Sequence, residues 1–402
     1  MDLSSYLVDG VRSPIGSFGG GLRDVRADDL AAHSLRALMA RHSSLDPTAI
    51  ADVILGCANQ AGEDNRNIAR MATLLAGLPP SVPGETVNRL CASGLSAVHQ
   101  ASRAIAHGDG HVFIAGGVEH MTRAPYVMSK SSRPYGTDSA LYDSSFGWRF
   151  VNPAMTEAYG VEAMGETAEN LVEQYGIRRE DQDAFAHWSQ QKTAAAREAG
   201  RLAEEIAPIF ISQRKGPDLV VEHDEFPKPQ TTLEGLAGLR SAFRTPGTVT
   251  AGNASGINDG SGALLVASGE GLKSHGLTPL ARIVAGGVAG VEPRIMGIGP
   301  VPASEIALAK AGLQLDDMDV IELNEAFAAQ SLACTRAMGL DDRDERINPN
   351  GGAIALGHPL GMTGARIALA AARELHRRNG RYALVTMCIG VGQGYALILE
   401  RA

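Results

Sequence analysis

A cysteine at a predicted helix start could act as a nucleophile. Cys91 lies in the sequence VNRLCASGL (residues 87–95), and apolar residues with helical spacing follow it. The unpaired N–H groups and the helix dipole at such a position favour the thiolate, which is the reactive form of the side chain. A buried structural cysteine is the competing interpretation, and it is the one adopted for Cys57 and Cys334.

A histidine among glycines and prolines could act as a base. His358 lies in NPNGGAIALGHPLGMTG (residues 348–364), where five glycines and two prolines surround one imidazole. This composition predicts a rigid turn that presents the ring at a helix start, where the positive end of the helix keeps it neutral. A neutral imidazole suits a general base or a donor to an oxyanion, and a histidine that only caps the turn is the alternative.

Two further polar residues lie near the ends of predicted buried strands. Cys388 follows an apolar strand and precedes Gly390 and Gly392, and a thiol with a tuned pKa can move a proton near neutral pH. Asn324 ends the strand in IELNEAFA (residues 321–328), where its amide could hold a water molecule. An inert core cysteine and a helix N-cap are the respective alternatives.

These residues must be positioned by a chain in which strands and helices alternate. Apolar strands are predicted at residues 6–9, 53–55 and 111–115 with helices between them, and the alternation resumes at residue 248. This order predicts an α/β fold with a parallel sheet. Residues 120–248 are rich in turns and include a charged helix, which indicates an insertion that could cover the site.

An internal repeat relates the two halves of the chain. A shift of 267 residues brings Val53 onto Val320 and Cys91 onto His358, since 358 − 91 = 267. Two similar halves would present the thiol and the imidazole at equivalent helix starts, facing a pseudo-twofold axis. Chance matches are common in a chain rich in glycine and alanine, so the repeat supports this arrangement only together with the chemistry of the two residues.

The composition of the 402 residues is typical of a soluble α/β enzyme. Lys and Arg total 36 against 45 Asp and Glu, and the net charge of −9 argues against a nucleic-acid or membrane partner. Four separated cysteines without a CxxC pair favour a reducing, cytoplasmic compartment, and the acidic N-terminus predicts no signal or transit peptide. The uncharged stretch 382–399 has a glycine-rich centre, which predicts a turn between two strands instead of a membrane span.

The sequence contains none of the common phosphate-binding or metallohydrolase motifs. Gly390-x-Gly392-x-Gly394 leads into a predicted strand, whereas a dinucleotide-binding loop leads into a helix. Glu119-His120 alone does not define a metal site. No metal or other cofactor is therefore expected.

Five motifs together resemble the thiolases, the acetyl-CoA C-acyltransferases. They are VNRLCASGLSA, VTAGNASGINDG, NEAFAAQ, NPNGGAIALGHPLGMTGAR and CIGVGQG, and the resemblance runs from about residue 5 to the C-terminus. It implies a five-layer α-β-α-β-α sandwich of two similar halves with an inserted loop domain. The halves are expected at residues 1–119 with 249–270 and at residues 271–402, and the insertion at residues 120–248.

The resemblance implies thiolytic cleavage of a 3-oxoacyl-CoA by coenzyme A, which is a substrate and not a cofactor. Cys91, activated by His358, would attack the 3-keto carbon and hold the shortened acyl group. Cys388 would protonate the departing acetyl-CoA enolate and then deprotonate incoming coenzyme A, in a ping-pong sequence. His358 with a water molecule held on Asn324 would form one oxyanion hole, and the N–H groups of Cys91 and Gly390 would form the other.

The same resemblance implies binding residues and partners. Ser255, Lys228 and Met164 are expected at the coenzyme A and acyl-CoA site. Thiolases often carry arginine where Lys228 stands, so the charge is kept and the bidentate geometry is lost. The expected partners are coenzyme A, an acyl-CoA and further copies of the chain in a homodimer or homotetramer.

Three segments narrow the resemblance to thiolases that cleave 3-oxoadipyl-CoA in aromatic-compound breakdown. They are FGWRFVNP (146–153), AMGETAEN (163–170) and MCIGVGQG (387–394). The expected products are succinyl-CoA and acetyl-CoA. A buried substrate carboxylate needs a cation or several N–H donors from the insertion, and Arg149 in the first segment is the leading candidate, before Arg123 and Arg133. Arginines that lie at the surface or bind a coenzyme phosphate are the alternative interpretation.

Three other functions stay open from the sequence. A short-chain acetoacetyl-CoA thiolase would carry the same catalytic residues. A decarboxylating condensing enzyme of related fold needs a cysteine with two histidines or with His and Asn, and the second thiol, Cys388, argues against it. A non-catalytic acyl-CoA-binding protein would have no need for Cys91, His358 and Cys388 together.

Overall fold

The structure, a computed structural model, describes residues 4–402 as an alternation of strands and helices. The strands are β1 (Ser5–Arg12), β2 (Gly16–Ser17), β3 (Ile50–Gly56), β4 (Glu85–Val87), β5 (Val112–His120), β6 (Tyr126–Met128), β7 (Leu141–Asp143), β8 (Ile209–Ile211), β9 (Leu219–Val221), β10 (Asn258–Ser268), β11 (Ala281–Gly290), β12 (Met318–Leu323), β13 (Tyr382–Ile389) and β14 (Gln393–Arg401). The α-helices are α1 (Ala27–Arg41), α2 (Ile68–Leu75), α3 (Ser93–His107), α4 (Pro153–Tyr159), α5 (Met164–Tyr175), α6 (Arg179–Glu198), α7 (Leu233–Ala237), α8 (Gly269–His275), α9 (Pro300–Ala311), α10 (Ala328–Ala337), α11 (Ala353–Leu356) and α12 (Leu360–Arg378). The predicted α/β class is confirmed.

The main sheet is mixed, with the strand order β4-β3-β5-β10-β1-β11-β14-β13-β12 and the short β2 beside β10. Strand β3 is parallel to β4 and β5, and β12 is parallel to β13. The remaining neighbours are antiparallel, so the prediction of a parallel sheet is wrong for them. The pair β13 and β14 shows why, because the short turn at residues 390–392 can only join antiparallel strands.

Five layers follow from the faces that these elements bury. The sheet divides at the β1–β11 pair into an N-terminal half-sheet (β4-β3-β5-β10-β1) and a C-terminal half-sheet (β11-β14-β13-β12). Helices α3 and α12 form the middle layer, because Leu95 and Leu369 share one core with Phe113 and Val385 from the two half-sheets. Helices α1 and α2 cover the outer face of the N-terminal half-sheet, and α9 covers that of the C-terminal half-sheet. Strands β1 and β11 join the half-sheets through three residue pairs. The predicted α-β-α-β-α arrangement is confirmed.

The two central helices obey the 267-residue shift. Their first residues differ by 360 − 93 = 267, and Cys91 and His358 each lie two residues before them. The helix starts touch, since a Cβ placed on Gly94 would lie 2.5 Å from the carbonyl oxygen of Gly361. The packing of α3 on α12 therefore brings the thiol and imidazole loops together.

Gly364 lies where α12 crosses α3, and a Cβ there would lie 2.3 Å from the backbone nitrogen of Leu95. We expect Gly364→Ala to lower the free energy of unfolding by about 1–3 kcal/mol, because the clash with backbone outweighs the gain in helix propensity. Chemical denaturation measures the change. Gly238→Ala is the control, since its Cβ would meet its nearest neighbour at 3.7 Å. Equal midpoints for the two variants would contradict the close packing.

Residues 120–248 carry elements of their own, namely α4 to α7 and the hairpins β6–β7 and β8–β9. Ile209 and Val221 of the second hairpin pack into the outer core of the N-terminal half. The domain limits at 119/120, 248/249 and 270/271 stay predictions. None of the helices in residues 4–402 combines the length and apolar composition needed to cross a membrane.

Candidate active site

The turn between β4 and α3 presents Cys91. The preceding residue, Leu90, has a left-handed backbone with a φ of 45°, which a leucine adopts only under constraint. The N–H of Arg89 donates to Oγ of Ser93 at 2.9 Å, and that hydroxyl donates to the carbonyl of Leu90 at 2.7 Å. The thiol is half-buried, so the constrained turn holds it where a substrate can reach it.

The Cys91 side chain is a protonated thiol at neutral pH in this structure. Burial raises its pKa from 9.0 to about 11, while the N–H groups of Gly390 and of Cys91 itself, which donate to the sulfur, oppose the rise. The expectation of a pKa lowered by the helix start is wrong, because the loss of water outweighs these N–H groups. Attack by the sulfur therefore requires a base that removes its proton.

A chain of hydrogen bonds holds His358 in one tautomer. Its backbone N–H donates to Oδ1 of Asn258 at 3.0 Å. The hydroxyl of Thr363 donates to the carbonyl of Pro359 at 2.8 Å, so it must accept a hydrogen bond from Nδ1 of His358, also at 2.8 Å. This assigns the proton to Nδ1 and makes Nε2 the acceptor nitrogen, which can take a proton from a thiol.

We expect His358 to stay neutral over the whole pH range of ordinary assays. Burial, with a smaller contribution from the positive charge of Arg366, lowers its pKa from 6.5 to about 3. The base is lost only as the pH falls toward 3, so the pH profile of kcat/KM should show no break near 6.5. Folding stability should decline between pH 6.5 and about 3, because only the unfolded state takes up the proton there. A unit-slope fall in kcat/KM just below pH 6.5 would contradict this.

Asn324 directly follows β12 and lies against the imidazole. Its backbone N–H donates to the carbonyl of Thr386 at 3.0 Å. Its Nδ2 lies 3.4 Å from Nε2 of His358, and its Oδ1 is buried with no partner among residues 4–402. The alternative of a helix N-cap is wrong, because α10 begins at Ala328 with Phe327 as its N-cap. The amide therefore keeps hydrogen-bonding capacity for a ligand or a water molecule.

Cys388 and Gly390 reach the same site from the C-terminal half. Cys388 is buried within β13, one residue before its end, and not beyond the strand as expected. Burial raises its pKa well above 9.0, and ionisation of the neighbouring Cys91 would raise it further, so Cys388 is a thiol that can donate a proton. A Cβ on Gly390 would meet Leu90 and the sulfur of Met164 at 3.5 Å. The structure thus brings both thiols, Gly390 and Met164 together.

Ser255 and Lys228 lie close to each other beside this site. The N–H of Ser255 donates to the carbonyl of Ala326, in the loop after β12, at 2.9 Å. The ammonium group of the exposed Lys228 lies 5.2 Å from the ring centroid of Phe226. That ring packs on Gly256, where a Cβ would lie 2.5 Å from it. Their assignment as coenzyme contacts stays a prediction.

The three candidate arginines differ in their surroundings. Arg123 is occupied, because its guanidinium donates to both oxygens of Glu63 at 2.8 and 2.5 Å. Arg133 is exposed in the loop between β6 and β7. Arg149 is half-buried and donates to Oδ1 of Asn59 at 2.7 Å. Of the three, Arg149 alone is both partly buried and bound to a neutral side chain.

Glu119 belongs to the site, although the sequence-based prediction passed over it. Its carboxylate accepts the N–H groups of Ala58 at 3.1 Å, Asn59 at 3.0 Å and Gly361 at 2.8 Å. It therefore ties the loop after β3 to the start of α12, and burial raises its pKa to about 7. The signal was an acidic residue in a fully buried strand, where a carboxylate must be hydrogen-bonded.

Glu119 also lies with Cys57 and Asp64, and in residues 4–402 these three are the one group close enough to share a metal ion. The Glu119 oxygens already accept three N–H groups, and the thiol of Cys57 lies 3.8 Å from Oδ2 of Asp64. Burial raises the pKa of Cys57 well above 9.0, which disfavours the thiolate that a metal would need. That no metal is used stays a prediction.

An α/β sandwich with two thiols, an imidazole and an amide at one site is the arrangement of an acyl-transferring enzyme that works through a thioester. The family described as "Thiolase, N-terminal domain" matches residues 5–270, and "Thiolase, C-terminal domain" matches residues 277–401. The chain belongs to the thiolase family of acyltransferases.

Similar proteins cover the whole chain. The 3-oxoadipyl-CoA/3-oxo-5,6-dehydrosuberyl-CoA thiolase of Escherichia coli (strain K12) is 61% identical over 397 residues, which is 99% of each chain. The beta-ketoadipyl-CoA thiolase of Pseudomonas aeruginosa is 58% identical over 401 residues, which is 100% of each. The crystal structure of the Bacillus anthracis acetyl-CoA acetyltransferase matches with a TM-score of 0.92 at 43% identity over 99% of each chain.

Proposed function

We propose that this thiolase cleaves 3-oxoadipyl-CoA with coenzyme A to give succinyl-CoA and acetyl-CoA. The names of the relatives from Escherichia coli and Pseudomonas aeruginosa support the substrate. The pair of thiols carries the chemistry, because the Cys91 sulfur accepts the N–H of Gly390, which is two residues after Cys388. Thiolysis needs one thiol to hold the acyl group and a second group to move protons.

The first half-reaction transfers the acyl group to Cys91. Nε2 of His358 takes the thiol proton as the sulfur attacks the 3-keto carbon. The C2–C3 bond then breaks, the acyl group stays on the sulfur as a thioester, and Cys388 protonates C2 of the departing acetyl-CoA enolate. The N–H groups of Cys91 and Gly390 donate to the oxyanion on C3, and His358 with a water molecule on Asn324 stabilises the enolate oxygen.

The second half-reaction releases the product. Cys388, now a thiolate, takes the proton of the incoming coenzyme A thiol. That sulfur attacks the thioester carbon, and the Cys91 sulfur leaves and recovers its proton from His358. Both cysteines and the imidazole return to their starting protonation states, so no redox partner or metal ion enters the balance.

Rates on three substrates test the assignment. We expect kcat/KM to be about 10-fold or more higher for 3-oxoadipyl-CoA than for 3-oxohexanoyl-CoA, which has the same chain length without the carboxylate, or for acetoacetyl-CoA. A preference for acetoacetyl-CoA would assign a short-chain acetyltransferase instead. Failure to cleave any of the three would overturn the proposed activity.

The proposal includes a cytoplasmic location and a homo-oligomer. All four cysteines are unpaired, as in a reducing compartment. Tyr126, Met128 and Leu141 of the β6–β7 hairpin are 73%, 69% and 67% exposed, and such apolar side chains suit contact with a second copy. Light scattering on the purified protein distinguishes dimer from tetramer, and cell fractionation tests the location.

A further inference from the structure

Arg149 is a half-buried cation without an anionic partner. Its Nη2 donates to Oδ1 of Asn59 at 2.7 Å, and its Nη1 lies 3.4 Å from the carbonyl oxygen of Ser144. Within residues 4–402, no carboxylate oxygen lies within 4.0 Å of its nitrogens. Both hydrogen-bond partners are neutral, so they stabilise the guanidinium without neutralising its positive charge.

Asn59 offers a second donor at the same place. Its Oδ1 accepts from Arg149, and its backbone N–H donates to Glu119 at 3.0 Å, so both ends of the residue are held. Its Nδ2 is buried and has no partner in the described part of the chain. A guanidinium and an amide N–H side by side complement a group that only accepts hydrogen bonds, such as a carboxylate.

The Asn59 loop, which follows β3, lies beside the Cys91 loop, which follows β4. Strands β3 and β4 are parallel neighbours, so the two loops leave the same edge of the sheet. The side-chain amide of Asn88, three residues before Cys91, donates to the carbonyl of Ala58 at 2.9 Å. The two loops are therefore in direct contact one residue from Asn59.

The segment that carries Arg149 also reaches the other side of the site. Nε1 of Trp148 donates to the carbonyl of Glu162 at 3.1 Å. Glu162 is two residues before Met164, whose sulfur lies against Gly390. Residues 148 and 149 thus connect the Asn59 loop with the segment just before Met164, and Met164 lies beside Gly390, whose N–H donates to the Cys91 sulfur.

We propose that Arg149 and Asn59 bind the terminal carboxylate of the acyl chain and so determine specificity for dicarboxylic substrates. This inference rests on the proposed function. The succinyl group held on Cys91 has two methylene groups between its thioester carbonyl and its carboxylate, so its cation must come from a loop next to the nucleophile. The Asn59 loop meets that requirement.

The test compares two substrates of equal chain length on Arg149→Met. For 3-oxoadipyl-CoA we expect kcat/KM to fall roughly 30- to 1,000-fold, the range for removing one partner of a buried charge pair. For 3-oxohexanoyl-CoA, which lacks the carboxylate, the fall should be no more than a few-fold. Arg149→Lys should restore part of the loss, because it keeps the charge without the fork of donors. Asn59→Ala should also lower the ratio of kcat/KM for 3-oxoadipyl-CoA to kcat/KM for 3-oxohexanoyl-CoA, by less than Arg149→Met does.

Arg133→Met is the matched control, since Arg133 is exposed and the same charge is removed. Its ratio of kcat/KM for the two substrates should equal that of the wild type. Equal losses of Arg149→Met on both substrates would overturn the inference and assign Arg149 to the fold or to a coenzyme phosphate. If the wild type itself does not cleave 3-oxoadipyl-CoA, the proposed function fails, which is a separate result.

Discussion

Cys91→Ser is expected to lose thiolysis and to stay free of acyl groups when it is incubated with 3-oxoacyl-CoA. The thiol already has its pKa raised to about 11 by burial, and a serine hydroxyl at the same place is a far weaker acid. His358 cannot make a competent nucleophile from it. Removing a nucleophile of this kind costs on the order of 10⁴–10⁶-fold in kcat. Intact-mass measurement after incubation without coenzyme A detects the acyl-enzyme directly.

Cys334→Ser is the matched control for this experiment. The Cys334 thiol is buried and donates to the carbonyl of Gly297 at 3.1 Å, a bond that a serine hydroxyl can also make. This variant should acquire one acyl group as the wild type does. An acylated Cys91→Ser protein, or a wild type that stays unmodified, would show that Cys91 is not the acceptor.

The approach of the Cys91 loop to the His358 loop could be predicted because it follows from the repeat. The shift of 267 residues is a property of the chain, and it matches the starts of α3 and α12 in the structure. The turn at Gly390 could likewise be predicted, since a glycine-rich run between two apolar segments specifies a tight connection. Features that depend on the internal repeat or on local turn residues could thus be predicted from the sequence.

The protonation states of the site could not be predicted in the same way. A helix start argues for a low thiol pKa, but the pKa of Cys91 is raised by burial, which depends on packing from both halves. His358 is neutral mainly because it is buried, and the helix start was the predicted cause. Desolvation is a tertiary quantity, so short sequence motifs do not report it.

Contacts between residues that are far apart in the sequence could not be predicted either. Glu119 accepts the N–H of Gly361 across 242 residues, and nothing near either residue signals the other. Arg123 was a candidate for the substrate carboxylate until the structure paired it with Glu63. In the sequence, Arg149 differs from Arg123 only because it lies in the segment FGWRFVNP. That its guanidinium donates to a neutral side chain, and not to a carboxylate, is seen only in the folded structure.

The Cys388→Ala variant is expected to become partly acylated at Cys91. Its turnover should be about 10²–10⁴-fold slower than that of the wild type, the usual contribution of general acid–base catalysis. Burial raises the pKa of the Cys388 thiol well above 9.0, so it carries the proton that the departing enolate needs. The same group must then accept the proton of coenzyme A. An alanine can do neither, and His358 is committed to the Cys91 sulfur.

Two measurements separate this role from a structural one. Intact mass after a single incubation should show an acyl group on Cys388→Ala, whereas steady-state thiolysis should be nearly lost. The melting temperature should change little, because the partner of the Cys388 sulfur is the backbone N–H of the same residue, which alanine keeps, and alanine removes one buried atom. Turnover like that of the wild type would reduce Cys388 to a core residue and leave the second proton-transfer step without a group to perform it.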